Sequence, residues 1–126
     1  MLGLKIIYSL NILIAGWVGI TSLFFPKTAL ISVFSSAYAE NEIIRLVGAL
    51  WLGIAILSAL GLWKPITFSP VLILQLIYKG VWLVIVALPA AINNVNYPKA
   101  LAIFFFVWVI ILPFIIPWKE LFGNNL

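Results

Sequence analysis

Four long apolar runs dominate the sequence and restrict the folds that it can adopt. They cover residues 4–25, 43–62, 70–88 and 100–118. Each is close to the length of about 20 residues that an α-helix needs to cross the hydrocarbon core of a bilayer, whereas membrane barrels show alternating segments of about 10 residues. The runs therefore predict an all-α protein, a bundle of four transmembrane helices forming one integral membrane domain over residues 1–126.

The composition indicates that lipid is the main solvent of this chain. Hydrophobic residues make up 66% of it and charged residues 8%, more apolar surface than a soluble domain of this length could bury. The Lys and Arg residues form no cluster, which argues against nucleic acid as a partner. The absence of Cys and His excludes disulfides, thiolate chemistry and the common metal ligand sets, so no metal is expected. We expect a multi-pass protein of a cell membrane, most simply a bacterial inner membrane.

The connections between the runs differ in kind. Residues 63–69 are so few that the second and third spans are predicted to form a tight antiparallel hairpin. Residues 90–99 contain several Asn and predict an aqueous loop. Residues 28–38 are mostly apolar but too short to cross, and predict a short interfacial helix capped by Thr28 or, alternatively, a re-entrant segment.

The orientation in the membrane is weakly encoded. We call the side that holds the N-terminus side A and the opposite side B. Four spans place both termini on one side, for which we expect the cytoplasm. The cations are evenly divided, so the positive-inside rule does not choose an orientation, and an antiparallel homodimer is compatible with the sequence. Side A carries Lys5, Lys64 and Lys119, and side B carries Lys27, Arg45 and Lys99.

Lys79 is the most informative residue of the sequence. It lies near the middle of the third run, where a cation costs about 2.5–3.5 kcal/mol. Its side chain should therefore face the bundle interior and be hydrated, paired or neutral. Gln75 shares its helical face, Trp82 adjoins it one turn later, and the neighbouring Tyr78 completes the candidate site on this span.

The first span offers polar side chains at the same depth. Counted from side A at about 1.5 Å per residue, Tyr8 and Asn11 lie level with Gln75 and Lys79. Asn11 also continues along a stripe of small residues that lets another helix approach closely. We therefore predict that this face of the first span meets the polar face of the third; interhelical hydrogen bonding is the purely structural alternative. The stripe consists of Ala15, Gly19 and Ser22.

The acidic residues lie away from the membrane midplane. Glu42 and Arg45, three positions apart at the start of the second span, predict a structural ion pair, with Glu40 beside it. Lys79 could reach these acids only if residues 28–38 fold back into the bundle. A midplane base without an acid suggests either a neutral amine or an anion that visits the site.

Other residues carry packing information. Gly48 and Gly53 are spaced for close approach of the second span to a neighbour. Pro113 and Pro117 predict a bend or frayed end of the fourth span near side A. Tryptophans remote from the interfaces are expected to fill the core, or alternatively to stack on a flat lipophilic ring. They are Trp17, Trp51, Trp82 and Trp108.

Two segments carry a resemblance to a known family. They are residues 45–53, RLVGALWLG, and the turn at residues 61–65, GLWKP. With the four-span plan, they resemble the DoxX-like group of small bacterial four-helix membrane proteins. Some members of that group are linked to quinone-dependent oxidation, so the resemblance implies quinone as a candidate cofactor. It implies no particular site residues.

Three classes of function remain open. One is a helper or anchoring subunit of a membrane complex, in which Lys79 pairs with an acid on a partner's helix. Another is a quinone-linked membrane oxidoreductase subunit, which the absence of His and Cys disfavours. The class we expect is non-enzymatic binding or transport of a small anionic or lipophilic molecule at a polar midplane site. That site would consist of Lys79, Gln75, Asn11, Tyr8, Trp82 and Tyr78.

Overall fold

A computed structural model describes residues 2–39 and 41–123 of the chain. Every regular element within these ranges is helical. The elements are α1 Leu2–Phe24, α2 Pro26–Ser32, α3 Ile43–Trp63, α4 Pro70–Trp82, a π-helical segment Leu83–Ala87, α5 Leu88–Ile92, α6 Lys99–Ile115 and α7 Trp118–Phe122.

Three helices are long and apolar enough to cross a membrane. They are α1, α3 and the continuous 23-residue helix Pro70–Ile92, which comprises α4, the π-helical segment and α5. The fourth apolar helix, α6, is shorter at 17 residues. The predicted all-helical bundle is thus found, and the length and composition of its helices indicate a membrane protein.

The third apolar helix passes through Pro89 and ends at Ile92, four residues beyond the end at residue 88 that was expected from the apolar run. A proline inside an α-helix lacks the N–H donor, and its ring clashes with the carbonyl four residues earlier. Here the preceding turn is π-helical, and the N–H of Leu88 bonds to the carbonyl of Leu83. The wider turn accommodates the proline ring, so the helix continues to Ile92.

Helices α1 and α3 form the closest packing in the bundle. A Cβ atom on Gly19 would lie 2.8 Å from the Leu52 nitrogen, and one on Gly48 would lie 2.7 Å from the Leu23 nitrogen. Gly19 and Ser22 of the α1 stripe therefore face α3, and the prediction that the stripe meets the third span is wrong for these two residues. Ala15 lines the small cavity together with Gln75 and Lys79 of the third span. Backbone contact requires glycine on both helices, and Gly48 supplies it on α3.

Helices α3 and α4 separate after the short connection between them, so they do not form the tightly packed hairpin that was predicted. Instead, α4 packs against α6, as α3 packs against α1. Aromatic side chains form the second interface, with the Trp82 and Phe105 rings 5.3 Å apart and the Tyr78 and Phe105 rings 5.9 Å apart. The separation of α3 from α4 leaves a groove on the flank of the bundle.

The segment after α1 folds back over α3. Helix α2 begins at Pro26 without a side-chain cap, so the predicted cap by Thr28 is wrong. After α2 the chain turns through Ser35 and Ser36, both with positive φ. The turn buries Phe34, which stacks on Trp51 with ring centroids 6.0 Å apart. The segment therefore combines a short helix with a turn that packs back against α3.

The end of α6 near side A follows the proline prediction. Pro113 lies within the last turn of the helix, Ile116 is extended, and Pro117 precedes α7. The indole nitrogen of Trp118 donates a 2.9 Å hydrogen bond to the Pro113 carbonyl. The chain thus bends at this end, and the Trp118–Pro113 hydrogen bond holds α7 against the end of α6.

Candidate functional site: a polar core beside an apolar groove

A buried amide pair connects the first and third spans. Asn11 Nδ2 donates to Gln75 Oε1 at 2.7 Å, and Gln75 Nε2 donates back to Asn11 Oδ1 at 3.3 Å. Asn11 Nδ2 also donates to Ser58 Oγ of α3 at 3.2 Å. All three side chains are almost inaccessible, so the predicted inward orientation of Asn11 and Gln75 is found. Ser58 is a partner that the sequence reasoning missed, although it is a rare polar residue within an apolar run.

Lys79 adjoins this pair and is only 3% exposed. The ion pair found among residues 2–39 and 41–123 joins Arg45 to Glu42, so within these ranges Lys79 has no carboxylate partner. Aromatic rings of α4 and α6 surround its ammonium group instead. The distances from Nζ to the ring centroids are 5.7 Å for Tyr78, 5.2 Å for Phe104, 5.2 Å for Phe105 and 5.1 Å for Trp108.

These four rings form what we call the aromatic cage. The negative faces of aromatic rings attract a cation, by up to about 2 kcal/mol per desolvated contact. A cage of aromatic rings was not among the surroundings expected for Lys79 from the sequence, which were water, an acidic partner or a site for the neutral amine. The signal was present in α6, where Phe104, Phe105 and Trp108 share one side of a helix at a depth comparable to that of Lys79.

The cavity at the amide pair and Lys79 is very small. It has a volume of about 20 Å³ and is bounded by Asn11, Gln75, Lys79 and the neighbouring apolar side chains. A water molecule needs roughly 10–15 Å³ by this type of measure. The polar core therefore accommodates about one water molecule but no organic ligand.

The larger cavity is the groove between α3 and α4. It has a volume of about 680 Å³ and is lined by apolar and aromatic side chains, with Asn41 at its side B end. Leu50 and Leu74 at its rim are exposed, so the groove opens on the flank of the bundle. Its aromatic lining consists of Phe34, Tyr38, Trp51, Tyr78, Trp82 and Phe105.

Trp51, Tyr78 and Phe105 separate the groove from the polar core and line both cavities. Trp51 Nε1 donates a 3.1 Å hydrogen bond to the Tyr78 hydroxyl, which links α3 to α4 across the partition. At the side B end of the groove, burial raises the pKa of Tyr38 above its usual value, and a hydrogen bond with Trp82 partly offsets this. The Tyr38 phenol is therefore neutral at physiological pH.

Two of the predicted site residues lie elsewhere than expected. Tyr8 packs its ring against Gly61 and donates its hydroxyl proton to the Pro65 carbonyl, which places it outside both cavities. Trp82 lines the groove rather than the small polar cavity, and its ring makes an edge contact with Phe105.

The tryptophans do not all fill the core. Trp51 and Trp108 are buried as expected, but Trp17 is 52% exposed, so its predicted core position is wrong. The reason is that α1 buries the face that carries the small-residue stripe, and Trp17 lies on another face.

The charges at side B have a structural arrangement. Arg45 and Glu42 form the predicted pair at 3.5 Å, and both are exposed. Arg45 Nε also donates to the Leu23 carbonyl at 3.0 Å, which satisfies a free acceptor at the end of α1. Glu40, predicted to lie beside this pair, is outside the described residues.

No family model, curated protein or solved structure matches this chain. The resemblance to the DoxX-like group therefore stays a prediction from residues 45–53 and 61–65.

Proposed function

We propose that this chain is a four-span membrane protein that binds a small lipophilic molecule in the groove between α3 and α4. The observation that carries the proposal is the groove itself. Its volume of about 680 Å³ falls within the range of about 300–1,000 Å³ usual for small-molecule sites. Its walls are apolar and rich in aromatic rings, and its open flank faces the direction from which a molecule dissolved in the bilayer would enter.

The four crossings follow from helix length. At about 1.5 Å per residue, α6 extends about 26 Å, close to the bilayer core thickness of about 30 Å. The other three apolar helices exceed 20 residues each. Crossings by all four helices keep the short connections and their charged residues at the two membrane surfaces.

A lipophilic ligand is favoured over an anion because of where the charge lies. Among the described residues, the groove lining contains no charged side chain. Lys79 is the natural anion-binding group, but the aromatic cage and a cavity of about 20 Å³ enclose it. An anion would have to displace aromatic rings to reach it. The same enclosure weighs against a helper subunit whose partner brings a carboxylate to Lys79.

The test fills the groove without altering the polar core. Val47 lines the groove, and Val81 is an exposed residue on α4 outside the groove lining. We expect Val47→Phe to abolish saturable binding of a decyl-substituted benzoquinone, measured by native mass spectrometry in detergent, whereas Val81→Phe retains it. Equal binding by both variants would contradict the proposal.

A further inference from the structure

Among the described residues, no acceptor is found for the hydroxyl proton of Tyr78, which lies at the wall of the groove. Trp51 Nε1 donates to the phenolic oxygen at 3.1 Å and so occupies one of its acceptor positions. Gln75 lies within hydrogen-bond reach of the same phenolic oxygen, and its amide also bonds to Asn11 in both directions. The hydrogen bonds among the described residues include none in which Tyr78 donates its proton.

A phenolic proton without an acceptor is costly in a low-dielectric interior, because a buried polar group normally has a partner. Tyr78 lines the groove as well as the polar core. The indole N–H fixes one side of the oxygen, so the proton must point elsewhere. A molecule in the groove can supply the missing acceptor.

The depth of Tyr78 restricts what that acceptor can be. Tyr78 lies about 8 residues, or about 12 Å along the helix, from Pro70 at side A, and about 14 residues, or about 21 Å, from Ile92 at side B. Phospholipid ester carbonyls remain near the headgroups, so a bilayer lipid would place only acyl chain at this level. The acceptor must belong to a molecule whose polar atoms enter the hydrocarbon core.

We infer that the Tyr78 hydroxyl donates a hydrogen bond to a carbonyl oxygen of a ring-containing lipophile bound in the groove, with Trp51 as the positioning residue. This inference rests on the proposed function. The aromatic lining suits a flat ring, since offset and edge-to-face contacts with Trp51, Trp82 and Phe105 are available to it. The hydrogen bond from Tyr78 to the carbonyl then favours such a molecule over apolar molecules of the same size.

The experiment compares probes with and without the carbonyl. Native mass spectrometry in detergent would give the affinities of decyl-substituted benzoquinone, decylbenzene and didecanoyl phosphatidylcholine. We expect Tyr78→Phe to weaken the benzoquinone by about 3- to 10-fold, the effect of one neutral hydrogen bond, and to change the other two probes less than about 2-fold. Tyr97→Phe, which removes a hydroxyl from the loop before α6, should leave all three unchanged.

Trp51→Phe provides a second variant that keeps a ring and removes the N–H. It should weaken the benzoquinone selectively and by less than Tyr78→Phe does. Equal losses for benzoquinone and decylbenzene, no loss for either, or a Tyr78-dependent loss for the phospholipid would each overturn the inference while leaving groove binding intact. Failure of the parent protein to bind benzoquinone and decylbenzene would overturn the proposed function itself.

Discussion

At the scale of single residues, Lys79 shows how an amine can be accommodated in the middle of an apolar bundle. Desolvation of an ammonium group at the bilayer centre is expensive, and no carboxylate offsets it within the described residues. Four rings at 5.1–5.7 Å provide a diffuse negative environment instead. The charge and the rings are therefore expected to stabilise each other.

A double-mutant cycle tests this mutual stabilisation. We expect Trp108→Leu to lower the free energy of unfolding by about 1 kcal/mol more in the parent protein than in the Lys79→Met background, because only the parent loses a cation–π contact. Unfolding in mixed detergent–SDS micelles measures the effect of Trp108→Leu in each of the two backgrounds. Lys79→Met alone should be as stable as the parent or more stable.

Trp108→Phe is the control for that cycle. It keeps an aromatic ring in the cage, and Trp108 Nε1 has no hydrogen-bond partner among the described residues. This variant should therefore cost less than Trp108→Leu in the parent. Equal costs of Trp108→Leu in both backgrounds would mean that the ring contributes packing alone.

At the scale of elements, the bundle consists of two helix pairs with different interfaces. Glycines bring the backbones of α1 and α3 into contact, whereas aromatic side chains separate the backbones of α4 and α6. The Asn11–Gln75 amide pair and the Trp51–Tyr78 hydrogen bond connect the two pairs. The groove exists because these connections leave the rest of the α3–α4 flank open.

Two glycines of α3 give a matched test of the close helix approach. A Cβ atom on Gly48 would lie 2.7–2.9 Å from atoms of α1, mostly backbone, whereas one on Gly53 would meet nothing within 4 Å. We expect Gly48→Ala to destabilise the protein by about 1–3 kcal/mol, since backbone cannot move aside easily. Gly53→Ala should be neutral or stabilising by up to about 1 kcal/mol, because alanine favours the helix.

Thermal melting in detergent compares these two variants with the parent. A loss of similar size at both positions would indicate that general helix or lipid effects, rather than contact between α1 and α3, determine the cost.

At the scale of the whole molecule, the absence of Cys makes the membrane topology directly measurable. Single cysteines can replace exposed residues outside the four apolar helices without changing any cation. We expect Ser32→Cys and Asn96→Cys to react with a membrane-impermeant maleimide from one side, and Thr67→Cys and Glu120→Cys from the other. The labelled fractions of the two groups in sealed vesicles should add to about the whole, even if the chain inserts in both orientations.

Two labelling results would contradict the topology prediction. Reaction of Thr67→Cys and Asn96→Cys from the same side would mean that the helix Pro70–Ile92 does not cross. Reaction of Asn96→Cys and Glu120→Cys from the same side would exclude a crossing by α6, the shortest of the four helices. Lysis of the vesicles, which exposes all four positions, is the control for reactivity.

The helical class, the approximate helix bounds and the inward orientation of Asn11, Gln75 and Lys79 could all be predicted from the sequence. They depend on run length and on the local cost of polar groups in lipid, which each segment expresses by itself. The passage of the third helix through Pro89 could not be predicted in this way. Its explanation is a π-helical turn that changes the local geometry without a clear residue signature.

The pairing of helices, the cage and the groove were decided by tertiary structure. The small-residue stripe of α1 does not by itself identify its partner helix, and in the structure Gly48 of α3 packs against Gly19 and Ser22. Likewise, Phe104, Phe105 and Trp108 become a cation site only when α6 packs beside Lys79. No single segment predicts the groove, because it forms where α3 and α4 do not pack against each other.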